Sequence, residues 1–262
     1  MKIIISHDVD HLFLKEHLKD TFLLGNFYRS LKNLAQGNIT FKAFLKRFSR
    51  ELNRIRSLHE FNKANGVKET FFFGMRKGLN LSYNWQDTKP FIEYLIREEV
   101  LVGIHGMGYN SFDLLNEESN RLKTLLPLSY PLGIRTHYLR MDDNTLSIME
   151  KIGFLYDSTQ YILKNPFLHG KMWEIPINIM DAGFISSYRI SLEELKKKTI
   201  NKIQEAQSRS LPFFVINFHD IYYSDSYPLH KAWYEWLVSY FKNAGNQFVN
   251  FAEAIDLLNK PL

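Results

Sequence analysis

Asp8-Val9-Asp10 sets two carboxylates two residues apart, directly behind the apolar run Ile3-Ile4-Ile5. In an extended segment alternate side chains face the same way, so both acids look into one site. Two neighbouring carboxylates divide labour: one stays ionised as a metal ligand while the other takes up a proton. We assign Asp10 as ligand and Asp8 as base, and spacing alone leaves the reverse open. His7 and His11 face the other way in a regular strand and are expected to pack. Four further strand-like runs end in reactive groups: His105-Gly106-Met107-Gly108-Tyr109-Asn110, Arg135-Thr136-His137-Tyr138-Leu139-Arg140, Asp157-Ser158-Thr159 and His219-Asp220. In an apolar core such groups would be costly without partners, so five ends carrying them point to one polar rim.

The elements that must hold that rim alternate along the chain. Strand-like runs are predicted at 2–6, 69–73, 100–104, 132–134, 154–156, 173–175, 213–218 and 248–250. Helical patterns are predicted at 87–97, 114–126, 145–151, 192–208 and 229–242. Ser191 and Glu194 form a capping-box signature, and Gly66, Gly153 and Gly245 stand where helix C-caps are expected. Seven or eight strands joined by helices predict an α/β fold with a largely parallel sheet, and a closed or nearly closed barrel suits the count. In such barrels the loops after the strand C-termini carry the chemistry. No internal repeat or linker divides residues 1–262, so one domain is expected.

The 262 residues carry a formal charge of +5, and its excess sits in one place. Residues 29–63 hold nine cations against only Glu51 and Glu60. Phe41, Phe44, Leu45, Phe48, Leu52 and Ile55 recur there at helical spacing. The expectation is a basic helical insertion packed by its Phe face. A membrane-surface contact is the other reading of such a segment, and no nucleic-acid motif accompanies the charge. Absence of cysteine excludes disulfides, thiolate zinc sites and cysteine nucleophiles, so a metal needs His, Asp or Glu. No run of about 18 apolar residues occurs, and three isoleucines are too few for a signal core, which predicts a cytoplasmic protein.

Taken in order, these motifs resemble the polysaccharide deacetylase family, also called chitooligosaccharide deacetylase-like domains. The resemblance runs from the first strand to about Asp220. It implies a distorted (β/α) barrel of about seven strands and hydrolysis of N- or O-acetyl groups on sugars. The family's first motif, an Asp pair giving base and metal ligand, is matched by Asp8 and Asp10. Its His-x-x-x-His metal pair begins at His105, its base-orienting Arg is matched by Arg135, and its general-acid His by His219. Asp157 is the positional match for the acid that supports this His, with Asp181 as the other candidate. Two departures stand out: Tyr109 replaces the second metal histidine, and His137 replaces a usual proline. We read them as one change, in which His137 supplies the missing ligand. A branch with His-x-x-Tyr-Asn and Arg-x-His-Tyr-Leu-Arg segments is similar in both respects.

The resemblance thus implies a divalent ion, zinc first, on Asp10, His105 and His137, with Asp8 as base and His219 as acid. A backbone N–H near 105–108 is expected to help stabilise the oxyanion. Tyr109, Tyr138, Tyr222 and Tyr223 are expected to stack on or hydrogen-bond the sugar. The implied substrate is an N-acetylated carbohydrate, with a nucleotide- or lipid-linked precursor of a surface polysaccharide as the expected form. Two alternatives remain open: a catalytically silent sugar-binding or scaffold protein, and a hydrolase of another linear amide or acetyl ester.

Overall fold

The computed structural model describes residues 1–185 and 190–260. Nine strands form one curled sheet: β1 (Lys2–Val9), β2 (Glu69–Phe73), β3 (Leu101–Gly106), β4 (Gly133–Thr136), β5 (Tyr156–Asp157), β6 (Phe167–His169), β7 (Met172–Glu174), β8 (Ile179–Met180) and β9 (Phe213–Asn217). Their order is β6-β7-β5-β4-β3-β2-β1-β9-β8, and every pairing is parallel except the β6–β7 hairpin. A single bridge between Tyr161 and Ile177 links the chain beyond β5 to the chain entering β8. The sheet therefore curls into an incomplete α/β barrel, in which β7 continues the parallel run beyond β5 and β6 returns along it as a hairpin. The run 248–250 is not a strand: Phe248 makes an isolated bridge to Ile3, and Asn250 immediately caps the last helix.

Ten helices accompany the sheet among the described residues: α1 (Phe22–Ala35), α2 (Phe41–Lys46), α3 (Ile55–Ala64), α4 (Lys89–Arg97), α5 (Phe112–Lys123), α6 (Thr145–Ile152), α7 (Asp181–Phe184), α8 (Leu192–Ser208), α9 (Pro228–Asn243) and α10 (Phe251–Leu258). The Ser191–Glu194 capping box starts α8, and Gly66, Gly153 and Gly245 all adopt positive φ behind their helices. Between β1 and β2 the predicted helix splits into α2 and α3, with α1 preceding both. Its apolar face packs only in part: Leu52 and Ile55 are buried and Phe44 and Phe48 half-buried, but Phe41 and Leu45 are exposed, while Ala43 and Arg47 are buried. A buried Arg47 explains the rotation, since its guanidinium donates to Ser226 O at 2.9 Å and Ser30 Oγ at 3.2 Å.

Strand parity sorts the core into two parts. Ile3, Ile5, Val102, Ile104, Phe214 and Ile216 face the helices. Ile4, Phe72, Leu101, Tyr156, Phe213 and Val215 face the barrel interior, where Phe251 of α10 closes the bottom. Tyr156 and Phe251 stack at 4.7 Å between ring centroids. Gly133 is required here, because a Cβ would lie 1.9 Å from the Tyr156 ring. One layer up, the Phe72 ring supports the Arg135 guanidinium at 4.5 Å. The apolar plug at the base is thus the floor of the polar rim.

Candidate active site

Asp8 shares the parity of Ile4 and Ser6, so its buried carboxylate points into the barrel above Arg135. Arg135 Nη1 donates to Asp8 Oδ1 at 2.8 Å, and Asn217 Nδ2 donates to Asp8 Oδ2 at 2.6 Å. Arg135 is itself fixed by Ser6 Oγ (2.9 Å), Ser158 Oγ (3.0 Å) and Ser158 O (2.8 Å). Burial alone would raise the Asp8 pKa, yet Arg135, His105 and His219 together hold it below the ordinary carboxylate value. Asp8 is therefore an ionised, immobilised carboxylate.

Asp10 stands just beyond β1, with Oδ1 buried and without a hydrogen-bond partner. That oxygen lies 3.3 Å from His105 Nε2 and 3.4 Å from His137 Nδ1, and the two nitrogens are 2.9 Å apart. The far nitrogens decide the tautomers. His105 Nδ1 faces Arg135 O at 3.1 Å, and His137 Nε2 faces Leu79 O at 3.0 Å. A carbonyl oxygen only accepts, so both far nitrogens donate. In its neutral form each ring then turns a lone pair inward, so that two lone pairs and a carboxylate oxygen would meet with no proton between them. A cation satisfies all three. Ligands about 2.0–2.2 Å from a tetrahedral ion stand roughly 3.3–3.6 Å apart; both oxygen–nitrogen separations fall in that range, and the nitrogen–nitrogen separation is shorter. Asp10, His105 and His137 form a possible metal site, and the donor set fits a divalent ion.

Backbone strain accompanies the site. Tyr138 and Leu139 adopt φ of 57° and 53°, and Leu79 and Asn80 adopt 45° and 69°. Left-handed conformations at such residues cost roughly 1–3 kcal/mol each and persist only when their surroundings impose them. Here one pair carries His137 and the other aims the carbonyl that fixes its ring. Thr136 Oγ1 donates to Arg140 O at 2.8 Å and Arg140 Nη2 to Met107 O at 3.1 Å, tying this loop to the one after β3.

Across the site stands His219. Its backbone N and its Nδ1 lie 2.7 and 2.6 Å from the two oxygens of Asp181, at the start of α7. Its Nε2 faces Asp8 Oδ2 at 3.9 Å and Asp10 Oδ2 at 3.7 Å. Burial would lower its pKa, but Asp181, with Asp10 and Asp8 behind it, carries the imidazolium up to about 10. A cavity of about 650 Å³ opens over Asp8, Asp10, His105, His137 and His219, walled by Phe22, Arg29, Tyr138 and Tyr222.

Several expectations need correction. Asp157 does not meet His219, whose partner is Asp181. Instead Asp157 lies beside Glu174 on β7, and burial pushes both carboxyls above their ordinary values. Asp157 Oδ1 accepts from Thr159 Oγ1 (2.5 Å), which accepts from Thr136 N (3.0 Å), so this acid braces the His137 loop. Tyr223 is buried against Phe61 and Tyr234, its hydroxyl on Glu235 at 3.2 Å. Tyr109 lies under Arg140 rather than on the cavity wall. The expected oxyanion donors are taken: Met107 N and Gly108 N donate to Glu118 at 2.9 and 2.8 Å. His7 packs, bonded to Phe218 O (2.7 Å) and Glu69 (2.9 Å), but His11 lines the cavity because β1 ends at Val9. Asn217, Ser158, Leu79 and Glu118 escaped sequence reasoning. Only Asn217 carried a signal, two residues before His219 on an inward-facing position.

No family model matches the chain, and no curated protein matches it. Solved structures do. A protein from Mycobacterium smegmatis described as a "putative polysaccharide deacetylase" superposes with TM-score 0.67 at 15% identity, covering 97% of this chain and 88% of that one. The chain has the polysaccharide deacetylase fold. A 4-alpha-glucanotransferase from Thermococcus litoralis (TM-score 0.52, 12% identity, 98% and 38% covered) shares the barrel. So does a GH57-type branching enzyme from Pyrococcus horikoshii (TM-score 0.52, 10% identity, 99% and 71% covered). Enzymes of different chemistry thus use one barrel, and the site must decide what this one does.

Proposed function

We propose that the chain is a metal-dependent hydrolase that removes the acetyl group from an N-acetylated sugar, a precursor of a surface polysaccharide. One observation carries the reading: Asp10, His105 and His137 converge on one point, their ligand atoms within 4.8 Å of one another, with Asp8 and His219 beside them. Asp10, His105 and His137 would hold the divalent ion, zinc first. Such an ion supplies Lewis acidity, polarising the acyl carbonyl and lowering the pKa of water toward roughly 7.

The chain's own groups do the rest. Asp8 Oδ2 has a second lone pair beyond its bond from Asn217, and it takes the proton of the attacking water. Arg135 keeps Asp8 ionised and fixed while it does so. His219 Nε2 gives its proton to the leaving nitrogen, and Asp181 holds the ring by Nδ1. A raised pKa suits this role, because an amine departs only once protonated. That need favours an amide over an acetyl ester, whose alkoxide leaves more readily. Tyr138 and Tyr222 offer ring faces and hydroxyls to the sugar on the cavity wall. The reading of a silent scaffold rested on the missing second histidine, and the grouping of His137 with Asp10 and His105 supports the active reading instead.

Acetate release from a panel of N-acetylated monosaccharides, oligosaccharides and nucleotide sugars, with zinc-, cobalt- or nickel-loaded protein, tests the proposal. Release is expected with at least one pairing and is abolished by Asp8→Asn. No release from any substrate with any metal would overturn it.

A further inference from the structure

Helix α1 is inside out. It buries Asn26, Ser30 and Asn33 and leaves Leu24, Phe27, Tyr28 and Leu31 between 46% and 76% exposed. The exposed residues fall at i, i+3, i+4 and i+7, the spacing by which a helix ordinarily covers a core. Helix α2 extends the face with Phe41 and Leu45, 63% and 54% exposed. Phe27 lies 5.9 Å from Phe44 and 6.0 Å from Phe48, so the two helices present one continuous apolar surface. The orientation is fixed from beneath by polar contacts. Arg47 reaches Ser30 Oγ at 3.2 Å and Ser226 O at 2.9 Å, and Ser30 Oγ meets Asn26 Oδ1 at 3.4 Å. Rolling the helix to hide Phe27 and Tyr28 would break these bonds. An apolar surface held outward in this way marks a contact site.

Charge says what meets it. Residues 21–50 contain six cations and no carboxylate. Arg29, Lys32 and Lys42 are exposed beside the apolar face, as is Lys46, whose Nζ reaches Asp225 at 3.2 Å. Two copies facing each other here would oppose cation to cation. An anionic bilayer fits both features, since leucine and phenylalanine enter the acyl boundary while lysine and arginine meet lipid phosphates. We propose that α1 and α2 form a peripheral docking face for anionic membranes. The same helix borders the catalytic cavity through Phe22, Leu24 and Arg29, and Arg29 and Lys32 line an adjoining cavity of about 520 Å³. On the function proposed above, docking brings the site to sugars carried on lipid phosphates, but the docking face stands without that reading.

Cosedimentation of the full chain with vesicles tests it, independently of any catalysis. Binding is expected to phosphatidylcholine vesicles containing one-third phosphatidylglycerol, not to phosphatidylcholine alone, and to weaken as salt rises. At roughly a fivefold affinity gain per surface cation, Lys32→Glu/Lys42→Glu is expected to weaken binding by at least about 30-fold. Phe27→Ser/Phe41→Ser is expected to weaken it with an unchanged circular dichroism spectrum. No binding to anionic vesicles at low salt, or binding unaffected by both variants, would overturn the proposal. A dimer dissociated by Phe27→Ser/Phe41→Ser, without vesicle binding, would assign the face to a second copy and equally overturn it.

Discussion

Replacing Arg135 by leucine probes how the candidate base is kept charged. Arg135 is fully buried and makes four polar contacts, one of them the 2.8 Å ion pair with Asp8. Without it the buried Asp8 carboxylate keeps the bond from Asn217 and the more distant imidazoles of His105 and His219. Removing one partner of a buried ion pair costs about 3–5 kcal/mol, because the other charge is left uncompensated. At roughly 2–4 °C per kcal/mol for a chain of this size, the melting temperature falls by about 6–20 °C. The wild-type pairing lowers the Asp8 pKa from its ordinary 3.8, so it stabilises the fold above that value and ceases to as Asp8 protonates in acid. The loss is thus read in full at neutral pH. The double variant Asp8→Asn/Arg135→Leu leaves no charge stranded. It is expected to be about 2 kcal/mol more stable than the sum of the single losses. Urea denaturation of the four proteins at neutral pH, followed by circular dichroism, closes the cycle. Strict additivity would refute the claim that Arg135 holds Asp8 as an ion.

Two further outcomes follow from the geometry. His137→Ala is expected to lower divalent-metal affinity by more than the roughly 10–100-fold that loss of a ligand's hydrogen-bond partner costs, measured by competition with a chelating dye; an unchanged affinity would remove His137 from the ligand set. Glu118, buried under the loop after β3, has its pKa pushed up from 4.5 to about 7, so the native state holds its proton more tightly than the unfolded chain. Its share of stability is full below pH 4.5 and is lost as pH rises through 7, about 3 kcal/mol in all. Glu118→Gln is expected to flatten that part of the stability–pH curve, and an identical slope in both proteins would contradict the assignment.

How far the sequence could be read depended on whether a residue acts by its place on a strand or by its reach between loops. Asp8, His105 and Arg135 lie on inward-facing positions of strands, where parity alone fixes direction, and they meet above the Phe72 ring as spacing predicts. The barrel was legible for the same reason: its long parallel strands are apolar runs, whereas two-residue β5 and β8 leave almost no pattern. Asp157 and Asp181 illustrate what parity cannot settle. Each follows or ends a strand, each is fully buried, and only the turn into α7 brings Asp181 to His219.

The helices of the insertion fail for a more instructive reason. Periodicity identified an apolar stripe on 41–55, and the rule that such a stripe faces the core then aimed it inward. That rule compares burying apolar surface with leaving it in water. It omits Asn26, Ser30 and Arg47, whose mutual bonds and the bond from Arg47 to Ser226 claim the inward side. Buried polar groups left unbonded cost about 1–3 kcal/mol each, comparable to what one exposed leucine or phenylalanine would gain by burial. With three bonded polar groups on one face and apolar chains on the other, the two orientations are closely matched in water. A membrane breaks the tie, because it satisfies the outward face without disturbing the inward one. Phe41 and Leu45, which the packing argument aimed inward, belong to the surface that the docking argument requires.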